Sequence, residues 1–198
     1  VIGGGVVGVS TLYHLAKKGW SDVVLVERRE LTSGSTWHAA GLLPLFNMSY
    51  SVGQIHKYSV KFYQELQEET GMDVGFRNVS NIRLASNQDR MDEFRQYAGV
   101  ASTIGVQVDF LTPEQVLDYW PMANIDGLVG AIRHPQDGYI QPADLTQALA
   151  RGARDRGAEI YRNTAVVAIT RSDDGLWIVS TDKGDITCEH VVSATGNF

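Results

Sequence analysis

The chain has 198 residues, 43% of them apolar, enough to bury a sizeable core in one domain and the start of a second. Its 17 basic against 23 acidic residues give a net charge of −6, and no Lys/Arg cluster exceeds Arg28-Arg29, which excludes the footprint of a nucleic-acid or anionic-membrane binder. The single cysteine, Cys188, excludes an intrachain disulfide framework and a Cys-rich metal site, and no apolar run approaches the roughly 18 residues of a membrane span.

Val1 and Ile2 alone precede Gly3, so the first strand reads as cut short, followed by a glycine turn. Val9, Leu12, Leu15 and Ala16 then share one helical face before Gly19 stops the helix. Val23 to Val26 is a continuous apolar run, the pattern of a parallel strand covered on both faces, with Glu27 at its carboxyl end. Residues 28 to 50 are rich in Gly, Ser and Thr without a clear period and read as an ordered functional loop.

A helix is predicted from Val52 to Thr70, with Ile55, Tyr58, Phe62 and Leu66 at helical spacing and Gly71 as C-cap. Strand is predicted around Phe76 to Leu84, then a helix over residues 88 to 104 with Met91, Phe94, Tyr97 and Ala101 on its stripe. Val106, Val108 and Phe110 alternate as in a half-buried strand, and Thr112-Pro113-Glu114-Gln115 reads as a capping box. A turn at Asp137-Gly138 leads to a helix from Pro142 to Gly157, a strand through Val166, Val167 and Ile169, and a β-meander turning at Asp173–Gly175 and Asp182–Asp185. The chain ends on Val191 to Phe198, immediately after an apolar strand and without the turn or cap residues that close a domain, and reads as a fragment.

Gly3-Gly4-Gly5-Val6-Val7-Gly8 fits G-x-G-x-x-G between a strand and a helix. Gly3 permits the tight turn, Gly5 lets backbone approach a pyrophosphate, Gly8 allows close helix packing, and the helix N-terminus carrying Val6 and Val7 attracts phosphate. Glu27, 19 residues after Gly8, can accept hydrogen bonds from both ribose hydroxyls and would repel a 2′-phosphate, which points to NAD or FAD. Arg28 follows it into the same loop. His14, His56 and His134 form no metal set and read as structural or solvated residues. Tyr58, Phe62, Phe94 and Tyr97 read as core, and Glu65, Glu68 and Glu69 as a solvated helix face.

The segment Gly34-Ser35-Thr36-Trp37-His38-Ala39-Ala40-Gly41-Leu42 resembles the loop of the dimethylglycine and sarcosine dehydrogenase family, in which the histidine of GSTWHAAG carries FAD on its 8α carbon. His38 takes that position by direct match. Further blocks extend the resemblance along the chain, among them Glu68-Glu69-Thr70-Gly71, Ile82-Arg83-Leu84-Ala85 and Leu145 to Ala150, and it leans towards dimethylglycine dehydrogenases. Val166 matches the family strand that reaches the adenine end, and Ala194-Thr195-Gly196 a glycine turn returning to the cofactor. Relatives commonly have Ala-Ala-Gly-Phe-Trp where this chain has Ala194 to Phe198.

The resemblance implies an α/β fold: a discontinuous Rossmann-like FAD-binding domain, residues 1–71 and 137–198, with part of an inserted α+β substrate domain at 72–136, truncated at both ends. It implies hydride transfer from an N-methyl amino acid to a covalently bound flavin, with electron-transfer flavoprotein or oxygen as acceptor and tetrahydrofolate available to the intact enzyme. No catalytic acid or base is assigned within these residues, and no metal. The implied location is the mitochondrial matrix in a eukaryote and the cytoplasm in a bacterium. A noncovalent FAD amino-acid oxidase of the same fold, a sarcosine enzyme, a plain NAD dehydrogenase and a nucleotide-binding module without catalysis stand as alternatives.

Overall fold

The computed structural model describes residues 1–197, so Phe198 and its place in the last glycine turn lie outside the described residues. The chain divides into two compact units, each built from separate stretches: Val1–Gly41, Glu65–Gly75 and the chain from Gln141 onward form the first, Leu42–Gln64 and Phe76–Ile140 the second.

In the first unit, α1 (Val6–Lys17) follows the glycine turn and buries Gly8, Val9, Leu12, Tyr13 and Ala16. Strand β1 (Val24–Val26) pairs in parallel with β8 (Glu159–Tyr161), and Ile2 bridges in parallel to Val26 on one side and Ser193 on the other. A four-segment parallel array results, drawn from both ends of the chain. Helix α5 (Pro142–Arg154) lies against α1, and small residues, Ala148, Ala150, Gly152 and Ala153, share its buried positions with Leu145, Thr146 and Leu149. A side chain at Gly152 would stand 2.7 Å from the Tyr13 ring, so the glycine sets how closely the two helices pack.

The Tyr13 hydroxyl donates to Glu69 (2.7 Å), which also pairs with Lys17 (3.2 Å) and Arg156 (2.8 Å). Glu69 is therefore a tether between helices and not a solvated face. The meander β9 (Val166–Arg171), β10 (Trp177–Thr181) and β11 (Gly184–Cys188) is antiparallel throughout, with the thiol-bearing Cys188 half-buried at its end.

The second unit centres on the antiparallel sheet β4 (Asn81–Ala85), β6 (Gly130–His134) and β5 (Asp109–Leu111). Helix α3 (Gln88–Ile104) lays Met91, Phe94, Tyr97, Ala101 and Ile104 on its core, and α4 (Pro113–Tyr119) starts with the Thr112–Gln115 capping box read from the sequence. Short strands β2 (Leu42–Leu43) and β3 (Arg77–Asn78) flank β7 (Gly138–Tyr139).

Helix α2 (Tyr50–Thr70) contributes to both units, and its residues up to Gln64 belong with the second. There Gly53 meets the Ile104 side chain, the Lys57 ammonium donates to the Ile104 carbonyl (2.9 Å), and a His56 ring nitrogen bonds the Pro44 carbonyl (3.0 Å). These contacts place residues 42–64 apart from the 1–71 stretch with which the sequence had grouped them. Of the expected apolar stripe on α2, Phe62 and Leu66 are buried while Ile55 and Tyr58 are exposed.

Candidate cofactor site

A cleft of about 560 Å³ opens in the first unit, within the ordinary size of a ligand site. Its wall brings together the glycine turn Gly3 to Gly5, Val6 and Val7 of α1, the Glu27-Arg28-Arg29 run after β1, the loop Ser33 to Thr36 with His38 and Ala39, and the returning Ala194, Thr195 and Gly196.

Backbone sterics explain the glycines. Gly3 has φ +113°, and a side chain there would overlap the Ala194 carbonyl. A side chain at Gly8 would overlap the Gly3 carbonyl oxygen, so Gly8 works as a packing residue behind the wall. At Gly5 a Cβ would come within 3.1 Å of the Thr36 hydroxyl. Gly5 is also the N-cap of α1, with no side-chain cap bond, and the first turn carries no acidic side chain. The positive end of the helix thus faces the cleft without an acidic side chain in its own first turn, beside the Glu27 carboxylate held by Gly4 N–H.

Glu27 has a role in the protein itself. Gly4 N–H donates to its Oε2 (2.6 Å) and Arg29 N–H to its Oε1 (2.8 Å), which pins the glycine turn to the end of β1. A carboxylate offers about four lone-pair sites, so acceptor capacity remains for a sugar diol. Thr32, at φ +72°, donates its backbone N–H to the Gly4 carbonyl (3.0 Å), and a β-branched residue in the left-handed region marks a loop whose path is dictated by its surroundings.

The loop then tightens into a 3₁₀ turn, Ser35–His38, whose buried residue is Thr36. Trp37 is 62% exposed and lies with its ring 4.2 Å from that of His38. Among the residues singled out in the sequence, Trp37, Ala40, Gly41, Leu42 and Val166 stand outside the cleft wall, as does Gly8. Leu42 opens β2 in the second unit, and Val166 packs with Ile2, Val26 and Val179. Gly4, Arg29 and Ser33 are wall residues that sequence reasoning passed over; they neighbour the motif residues in the chain, which is the signal that could have found them. Among the described residues no cluster of His, Cys, Asp or Glu could hold a metal, and no helix is long and apolar enough to cross a membrane.

The glycine cradle, the helix N-terminus facing the cleft and the acid at the β1 terminus fit a dinucleotide cofactor. The model of the family of FAD dependent oxidoreductases matches residues 1–198. The chain belongs to that family.

Curated relatives match the chain over nearly its full length. Mitochondrial dimethylglycine dehydrogenase of Rattus norvegicus is 42% identical over 196 residues, and mitochondrial sarcosine dehydrogenase of Homo sapiens 38% over 202, each match covering 99% of this chain. The chain spans about a quarter of the length of these relatives, 23% and 22%. The crystal structure of glycine oxidase from Bacillus cereus superposes with a TM-score of 0.84 at 31% identity, covering 100% of this chain and 54% of that one. The mixed α/β fold is therefore that of the FAD-dependent amino-acid oxidoreductases.

Proposed function

We propose that this chain is the flavin-holding part of an oxidoreductase acting on N-methyl amino acids of the dimethylglycine type, with FAD bonded covalently to His38. The observation that carries this is a single cleft wall containing the glycine turn, Glu27 and His38. Similarity to dimethylglycine and sarcosine dehydrogenases supports the substrate class.

A bound flavin would supply the redox chemistry, accepting a hydride equivalent from the N-methyl carbon. The chain's own residues hold and orient it. Gly3 and Gly5 admit the pyrophosphate against backbone, the N-terminus of α1 attracts its charge, and Glu27 accepts from the ribose hydroxyls. His38 would hold the ring through a bond from an imidazole nitrogen to the 8α carbon, a two-electron oxidation that would take one hydrogen from each atom and would need dioxygen as the oxidant, reduced to hydrogen peroxide.

The first unit then corresponds to the FAD-binding domain, while the second contributes to the substrate domain. Electron-transfer flavoprotein or oxygen as acceptor, tetrahydrofolate as carrier of the one-carbon fragment, and a matrix location in a eukaryote or a cytoplasmic one in a bacterium belong to the same proposal.

Intact mass of the denatured full-length enzyme, purified with its flavin, tests the attachment. Wild type should carry the mass of FAD and His38→Ala should not, while folding normally because His38 sits in an exposed turn. A bare polypeptide mass for wild type would leave the noncovalent oxidase. Bleaching of flavin absorbance by dimethylglycine more rapidly than by sarcosine is the expected substrate response; bleaching by neither would leave a nucleotide-binding module.

A further inference from the structure

Thr36 stands out in the loop that carries His38. Its neighbours Ser35, Trp37 and His38 are exposed, whereas Thr36 is 8% exposed and makes a bond that no local motif requires. Its hydroxyl oxygen accepts the backbone N–H of Val6 (2.9 Å), the first residue of α1, thirty positions away. The approach is possible because Gly5, next to Val6, has no side chain: a Cβ there would already crowd the same oxygen at 3.1 Å.

The residue's other end closes the turn. The Thr36 carbonyl accepts from Ala39 N–H (3.2 Å), so a four-residue turn brackets His38. Gly34, which caps the turn, offers no side-chain bond of its own. The hydroxyl of Thr36 is thus the side-chain bolt between the turn bearing His38 and the helix end facing the cleft, and its own O–H remains free to donate.

With His38 as the attachment site, we propose that Thr36 is the positioning residue for flavin attachment. It holds the imidazole in register with the α1 N-terminus, so that a dinucleotide seated by its pyrophosphate presents its ring to His38 at bonding distance. Covalent bond formation depends steeply on such placement, because a displacement of about an ångström can cost on the order of a hundredfold in rate. Removing the hydroxyl should therefore slow bond formation more than it weakens binding.

The test uses full-length apoprotein mixed with FAD at saturating concentration. Covalent incorporation is followed by flavin fluorescence of the denatured chain, and reversible binding by quenching of free FAD. Thr36→Val, close to the same shape, should incorporate flavin at least about tenfold more slowly while binding it with a smaller change in affinity. Thr36→Ser, which keeps the oxygen, should recover the wild-type rate to within about twofold, a rescue that a packing role for the methyl group would not give. Thr36→Ala serves as the hydroxyl-free arm should the valine variant fail to fold. Incorporation at the wild-type rate in a hydroxyl-free variant, or equal slowing by Ser and Val, overturns the proposal. Wild type that binds FAD but never incorporates it would instead overturn His38 as the attachment site.

Discussion

Glu27, proposed to accept from the ribose, is already the acceptor for the Gly4 and Arg29 backbone N–H groups. Glu27→Ala should weaken FAD binding by about 1.5 to 3 kcal/mol and loosen the turn beneath it, because two donors lose their partner as well as the sugar. Calorimetric titration of apoprotein with FAD reads the first effect, and unchanged affinity would remove Glu27 from the nucleotide site. The glycines and Glu27 were legible in the sequence because backbone sterics and charge leave few residues able to serve there. The Thr36 to Val6 bond was not, since it joins residues thirty positions apart and no local pattern pairs a loop threonine with the helix end. Glu69 was misread for the same reason: a helix wheel shows its neighbours on α2 but not Tyr13, Lys17 and Arg156.

Among the elements, the end of β6 and the turn leading to β7 hold a buried polar pair that periodicity could not reveal. His134 is fully buried at the end of β6 with neither ring nitrogen hydrogen-bonded, and burial together with the nearby Arg83 charge lowers its pKa to about 4. Asp137, three residues on, is equally buried; burial raises its pKa to about 6 against the opposing Leu45 N–H bond and the Arg83 and His56 charges. The signs are opposite. His134 contributes stability above its unfolded pKa near 6.5 that is lost as pH falls towards 4, whereas Asp137 contributes stability below about 3.8 that is lost as pH rises through 6. Each effect is worth roughly 3 kcal/mol at its full extent, so in wild type they largely offset between pH 4 and 6. Asp137→Asn should leave the second unit losing stability steeply below pH 6.5, and His134→Gln should make it gain stability on acidification. Urea unfolding read through the protection of β6 amides at each pH checks both, and acid slopes matching wild type in the two variants would show that the pair does not titrate in this window. Helix positions were otherwise legible: α3 buries the predicted stripe and α4 has the predicted cap, because both follow from local rules. The failure of Ile55 and Tyr58 to be buried has a different origin, since spacing tells which residues share a face but not whether a neighbour covers it.

At the scale of the whole molecule, the broken βαβ order announced a discontinuous fold, but its boundaries depended on contacts such as Gly53 with Ile104 that only the folded chain contains. The interleaving has a consequence for synthesis. Every residue of the second unit has been made once Ile140 is added, while the first still lacks β8, α5 and the Ser193 segment that flanks Ile2. At about 5 to 20 residues per second, the ribosome takes several seconds more to supply them. Throughout that interval Ile2 and β1 have only each other as parallel neighbours, so the cleft wall is incomplete before Ala194 arrives to meet Gly3. Nascent chains stalled with Ile140 outside the exit tunnel and Gln141 onward still within it should show protease-resistant residues 76–140 and a protease-sensitive amino terminus. Resistance of residues 1–41 at that length would mean that the first unit closes without its distal strands. Flavin capture is thereby confined to the time after Ala194 has emerged, when the more locally connected unit has already taken shape.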